Sequence, residues 1–298
     1  QEVAAGEGCF WGLSTVIVMP CNLSHAPYCI VAAGTILPAQ RVALPFCLIQ
    51  TDSVVPGWVY AKSPYTVVRS AHKYATRRKA QYHAYYTGWN ILRPSVVQLC
   101  VAARDGLQHS EGSSVLGKLK CDNRGRQLGI QTYTDLIHRY ALQELLRLCL
   151  DGSPTSIVPR VARMLSENCL VMPAPIHAVE WAPFPWDEDP TQETAYQRAL
   201  LVQEFLQTPS SAAAVDGVSK QWIRQGLERL GALETQFTAA VRNSKARDDT
   251  RGAATIPFYA AAHVAADDDP VIARQNKQCQ TMKQHIQQVL AYLPSSQL

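Results

Sequence analysis

Acidic residues are missing from a long stretch of this chain. Between Ser53 and Arg104 there is no Asp or Glu, although the 298 residues hold 24 of them. The same stretch holds eight Lys and Arg residues, so its charge is wholly of one sign. Residues 1–104 carry nine basic and three acidic side chains, a net of +6, whereas residues 105–298 carry 19 and 21, a net of −2. A one-sided segment of this kind points to a polyanion as partner.

Other absences exclude whole classes. No window reaches the ~18 uncharged apolar residues of a membrane span. The nearest, Ser14–Val31, is broken by Pro20, Asn22, His25 and Pro27, so no membrane partner is expected. The nine cysteines form no C-x-x-C pair, which argues against a zinc knuckle. Their odd number and irregular spacing read as free thiols packed as small hydrophobes in a reducing compartment. There is no Gly-rich phosphate loop and no H-E-x-x-H, and neither an enzyme nor a cofactor nor a metal is expected. The acidic runs Asp187-Glu188-Asp189 and Asp267-Asp268-Asp269 read as solvated or as facing a basic partner. Residues 1–13 look like neither a secretory signal nor an Arg-rich transit peptide.

What is present reads as an α+β chain, and hydrophobic residues at 47 % suffice for a core. After an N-terminal arm (1–13), Ser14–Cys21 is short, apolar and β-branched and reads as a strand. Ser24 would cap a helix that Pro38 stops, and Arg41–Gln50 would return as a second strand. Val59, Tyr65, Val67 and Val68 favour strand, and Tyr82, Tyr85, Tyr86 and Trp89 resume that composition after a basic middle. The segment Val54–Leu92 therefore reads as a long protruding β-hairpin with its tip near His72–Arg78. Pro94–Leu107 reads as a helix with Pro94 in its first turn, and Val115–Lys120 as a last strand. Strand, helix, strand, strand, helix, strand is the order of a ferredoxin-like split βαβ domain.

Residues 122–298 change character and read as a mainly α-helical extension. Helices are expected over Thr134–Leu150, Ile157–Asn168, Glu193–Leu206, Ser219–Val241 and Pro270–Leu293. Between the second and third, the Pro- and aromatic-rich linker at about 171–190 would lie against another surface. The last helix, Gln-rich with a thin apolar stripe, suits packing on a partner better than forming a core.

The run Tyr65-Thr66-Val67-Val68-Arg69-Ser70-Ala71-His72 resembles the signature of small-subunit ribosomal protein S-ten. Members carry an aromatic residue, Thr, two aliphatics, a variable residue, Ser, a variable residue and His at the base of a long hairpin. The similarity continues through Tyr74, Arg78 and Gln81-Tyr82, a pattern of the mitochondrial form, and resumes at Ile91-Leu92-Arg93-Pro94-Ser95. It covers about residues 14–121. The chain departs from the pattern at Ala71, where many members have Pro, and by a one-residue slip between Lys79 and Gln81. Tyr85-Tyr86-Thr87-Gly88-Trp89 also replaces a more basic stretch.

The resemblance implies a structural constituent of the small subunit of the mitochondrial ribosome, in the mitochondrial matrix. The hairpin would bind small-subunit rRNA in the subunit head. The compact face would meet other head proteins, and the extension would bind protein. Lys62, Arg69, Lys73, Arg77, Arg78 and Lys79 would neutralise phosphates, and release of counterions would drive the contact. Ser70 and His72 would donate hydrogen bonds to phosphate or 2′-hydroxyl, and Tyr74 would stack on a base. Two other readings stand beside this one. The chain could be an accessory structural subunit of another mitochondrial assembly without RNA contact. Alternatively, Gly8-Cys9-Phe10-Trp11-Gly12 resembles the nucleophile loop of methionine sulfoxide reductases.

Overall fold

The computed structural model describes residues 2–77, 91–109, 113–167, 190–206 and 217–293. It is mixed α/β and mainly helical, with all its strands in the first 55 residues. Those strands are very short. In chain order they are β1 (Val3–Ala4), β2 (Phe10–Trp11), β3 (Val16–Ile17), β4 (Cys21–Asn22), β5 (Ile30–Val31), β6 (Ile36–Leu37), β7 (Gln40–Arg41), β8 (Leu48–Gln50) and β9 (Ser53–Val55). They form three sheets, ordered β1-β4-β7, β2-β5-β8-β9 and β3-β6, and every pairing except β8–β9 is parallel.

Partners recur at a separation of 18 to 20 residues along the chain. Cys21 lies 18 residues after Val3, Ile30 lies 20 after Phe10, and Leu48 lies 18 after Ile30. The chain therefore winds as a three-sided β-solenoid, each coil stacking on the next. The corners repeat too. Gly8, Tyr28 and Phe46 all have left-handed backbone, as do Ser14, Gly34 and Asp52. Tyr28 and Phe46 stack with ring centroids 5.3 Å apart. A Cβ at Gly8 would lie 2.5 Å from the Tyr28 ring, so this corner of the first coil admits only glycine.

The hairpin β8–β9 ends the solenoid, and the helices close over it. These are α1 (Trp58–Lys62), α2 (Pro64–Arg77), α3 (Pro94–Gln108), α4 (Ser113–Leu116), α5 (Asn123–Leu150), α6 (Ile157–Glu167), α7 (Pro190–Leu201), α8 (Lys220–Thr255), α9 (Tyr259–Ala262) and α10 (Pro270–Ala291). The Tyr133 hydroxyl of α5 donates to the Pro45 carbonyl at 2.7 Å, and the Val59 amide donates to Phe46. One buried cluster then runs without a break from Cys21 in the solenoid to Leu293 after α10. Caps are supplied as helices require: Asp122, Ser219 and Asp269 accept from the first-turn amides of α5, α8 and α10.

Several expectations are corrected. The order of elements is not that of a ferredoxin-like domain, since nine strands precede the first helix. Residues 1–13 are no arm but part of the first coil, and the helix expected after Ser24 is replaced by corners and the strands β5 and β6. The hairpin arm expected over Val59–Val68 is helix. There β-branched content argued for strand, but burial at Tyr65, Val67 and Val68, continued by Ala71 and His72, has helical spacing, and Pro64 suits a first turn. Val115–Lys120 is the end of α4 and one isolated bridge from Lys120 to Ser53. The long central helix starts at Asn123 and not at Thr134, whose hydroxyl instead bonds the Ile130 carbonyl within the helix. The hairpin tip expected near His72–Arg78 is, as far as Arg77, the end of α2. Residues 78–90, with most of the returning hairpin arm, and 168–189, with most of the aromatic linker, lie outside the described residues.

Candidate nucleic-acid interface

α2 and α10 lie together across one face of α8. Their juxtaposition is held by buried polar contacts. The Tyr65 amide donates to Ser244 Oγ of α8 at 3.1 Å, and the Tyr65 hydroxyl donates to Asp269 Oδ2 at 2.6 Å. Asp269 also caps α10 through the amides of Val271 and Ile272. Lys245 extends the same cluster, bonding Asp249 and the Val264 carbonyl.

Neither helix contains an acidic residue, from Pro64 to Arg77 or from Pro270 to Ala291. Ile272, Gln275, Cys279, Met282, Ile286 and Val289 of α10 turn inward at alternating three- and four-residue spacing, a coiled-coil seam. The thin apolar stripe thus packs on the chain's own α8 and leaves the basic residues of α10 outside. On α2, Arg69, Lys73 and Arg77 follow the four-residue spacing of one helix face.

Between the helices runs a groove. Its first part, of about 210 Å³, is lined by His72 of α2 and Arg274 of α10, whose Nη1 lies 3.4 Å from His72 Nδ1. Its second part, of about 660 Å³, continues between α5, α8 and α10 past Lys277 and His285. Gln143, Gln275 and Gln278 line both parts. Among the described residues the only acidic side chain lining either part is Glu234, and it is neutralised. Arg139 grips it bidentately at 2.7 and 2.9 Å, donates to Tyr60 Oη at 2.9 Å and packs 4.2 Å from the Phe237 ring centre. Burial works against the Arg139 charge, but Tyr60 and Glu234 more than offset it, and its pKa lies above the ordinary arginine value. The floor of the groove is therefore electrically balanced.

Of the residues expected to touch RNA, the structure brings Arg69, Ser70, His72 and Lys73 onto α2, and of these His72 lines the groove. Arg69 and Lys73 are exposed, and Ser70 and His72 are half-buried. The Arg69 guanidinium lies 5.8 Å from the Tyr65 ring centre. Lys62 is exposed at the end of α1, apart from the groove, and its carbonyl accepts from Arg247. Tyr74 and Arg77 belong to α2, with side chains outside the described residues, as are Arg78 and Lys79 altogether. Sequence reasoning missed Arg274, Lys277 and His285. The signal was the same one used upstream, a long segment free of Asp and Glu, here the 22 residues of α10.

The alternative site at Cys9 has a different setting. Gly8-Cys9-Phe10-Trp11 is one turn of the solenoid repeat, answered by Tyr28-Cys29-Ile30-Val31 and Phe46-Cys47-Leu48-Ile49. The bond from Cys29 and then burial push the Cys9 thiol above its ordinary pKa, the opposite of what activates a nucleophile. Among the described residues no group of three or more His, Cys, Asp or Glu is placed to hold a metal ion. Nor is any described helix long and apolar enough to cross a membrane. No family model, curated protein or solved structure matches this chain.

Proposed function

We propose that this chain is an RNA-binding protein that holds the phosphate backbone along the α2–α10 groove. One observation carries the reading: two helices, each free of acidic residues and far apart in sequence, lie side by side, Arg274 and Lys277 line a groove whose only acidic side chain among the described residues is already paired, and Arg69 and Lys73 stand exposed on the other helix. Folded RNA offers phosphate oxygens for such cations and 2′-hydroxyls for the glutamine amides of the groove. The polyanion reading survives the loss of the hairpin because it rests on charge and not on strand geometry.

The particular assembly suggested by the Tyr65–His72 run is the mitochondrial small subunit. Small-subunit rRNA would then be the polymer, head proteins the neighbours and the matrix the compartment. That narrower form stands on the sequence resemblance alone. A second reading, an accessory structural subunit that meets only polypeptides, is favoured by the first solenoid coil. There Val3, Phe10, Leu13, Val16, Val18 and Met19 are exposed at the outer edge, and apolar strand edges are templates for protein contacts.

The test is a titration of the full chain with a fluorescent structured RNA at about 50 and 200 mM salt. Binding should weaken steeply with salt. The double variants Arg69→Glu/Lys73→Glu and Arg274→Glu/Lys277→Glu should each lower the affinity and flatten the salt dependence, by about 0.7–0.9 in log–log slope for every phosphate no longer neutralised. Equal binding by the wild type and both variants would end the proposal. Co-purification of polypeptides without RNA would favour the second reading.

A further inference from the structure

One corner of the solenoid stacks a thiol from each coil. Cys9, Cys29 and Cys47 each follow a left-handed corner residue (Gly8, Tyr28 and Phe46) and precede the strands β2, β5 and β8. Phe10 is the partner of Ile30, and Ile30 of Leu48, so the preceding cysteines stand one above another. The Cys29 thiol donates to Cys9 Sγ at 3.3 Å, and the Cys9 thiol donates to the Ala26 carbonyl at 3.4 Å. Parallel neighbours are about 4.8 Å apart, within the Cα separation a disulfide spans. Access differs along the column: Cys9 in the first coil is half-buried, whereas Cys29 and Cys47 are fully enclosed.

We infer that Cys9 and Cys29 form an oxidisable pair that a small-molecule disulfide converts to a cross-link between the first and second coils. The accessible Cys9 thiolate attacks one sulfur of the small disulfide, and its S–S bond breaks to release one thiolate, which takes up the proton Cys9 lost. Cys29 then attacks Cys9 Sγ in the mixed disulfide. The protein disulfide forms, the second small thiol leaves, and it carries away the proton from Cys29. Two protein thiols are oxidised and one small disulfide is reduced to two thiols. Cys29 bonds Cys9 on one side and Cys47 on the other, yet only the Cys9 side opens to an oxidant. The bond would tie the first coil to the second.

Both thiols are held above their ordinary pKa by hydrogen bonds within the column and by burial, so the exchange is slow at neutral pH. The experiment incubates the full chain with glutathione disulfide at about pH 8.5, blocks remaining thiols under denaturing conditions and maps the fragments. Cleavage after Met19, Tyr28 and Phe46 separates Cys9, Cys21, Cys29 and Cys47. The expected product joins the Cys9 and Cys29 fragments, is reversed by dithiothreitol, and slows amide exchange over residues 3–18. Cys9→Ser should abolish the link, and Cys100→Ser, altering a buried thiol elsewhere, should leave it unchanged. If Cys29→Ser folds, it should trap Cys9 as a stable glutathione adduct. Wild-type protein in which Cys9 stays free, stops at the glutathione adduct, or joins Cys21 or Cys47 overturns the inference.

Discussion

The Tyr65 phenol donates a 2.6 Å hydrogen bond to the carboxylate of Asp269, a residue 204 positions further along the chain. Burial first, and then Asp269 itself, push the phenol above its ordinary pKa, so it keeps its proton well into alkaline solution. The bond clasps the start of α2 to the start of α10, and the proposed groove depends on it. Tyr65→Phe leaves a buried carboxylate oxygen short of a donor and should cost about 1–3 kcal/mol in urea unfolding. Asp269→Ala should cost more, because it also removes the cap of α10. A Tyr65→Phe loss under about 0.5 kcal/mol, the scatter of ordinary surface changes, would show that the clasp is dispensable.

Glu234 gives a test in which stability and binding move in opposite directions. Its carboxylate is 2 % exposed and compensates the buried Arg139. Glu234→Gln leaves that cation unmatched, and breaking a buried pair from one side typically costs about 3–5 kcal/mol. The same change adds one net positive charge to the floor of the groove. RNA affinity at low salt should therefore rise while the melting temperature falls. Lower affinity in a variant still folded at the assay temperature would place the polyanion elsewhere.

Acid should unfold the molecule partly through Glu204. Burial alone would raise its carboxyl, but the bonds from His138 and Arg104 outweigh burial and hold it at about 2, below its ordinary 4.5. The Arg104 contacts are bidentate, at 2.7 and 3.0 Å. The folded value is the lower one, so the stabilisation is complete above the ordinary value and drains away as the carboxyl is protonated between pH 4.5 and about 2. It amounts to up to about 3 kcal/mol. Urea midpoints measured across that window should fall less in Glu204→Gln than in the wild type, from a lower starting point. Parallel curves would assign the acid sensitivity to other carboxylates.

Gly129 sets two rules against each other. It lies inside α5, where Ala is better than Gly by about 1 kcal/mol. An added Cβ, however, would lie 2.5 Å from Pro56 Cβ and 2.9 Å from Leu107 Cδ1. Overpacking of this kind costs about 1–3 kcal/mol, so Gly129→Ala should lower the melting temperature. An unchanged or higher value would mean that the junction between solenoid and helices yields easily.

The same glycine shows why part of the fold was hard to read. Gly125 and Gly129 look like helix breakers, yet they sit where α5 must pass close to Val55 and Pro56. The C-terminal helices were legible because Ser219 and Pro270 mark their starts and apolar residues recur at helical spacing. The solenoid was not, because strands of two or three residues carry no alternation to detect. Its signal lies at a longer period, in three copies of a corner residue, Cys and two apolar residues. Of the expected site, the basic face of α2 was visible as composition, but its secondary structure was misjudged from Val67 and Val68. The matching face on α10 lay some 200 residues away and became a partner only through packing.

The repeat spacing of the coils constrains how this part of the molecule can change in length. Duplicating or deleting about 19 residues at a corner returns each following side chain to the wall it occupied before, as in other one-dimensional repeats. An insertion of half that size inverts which residues look inward, carrying Cys and aromatic side chains to the outside and polar ones to the axis. Growth here is therefore quantised in whole turns, and the helical body beneath rides up or down by a single strand spacing each time.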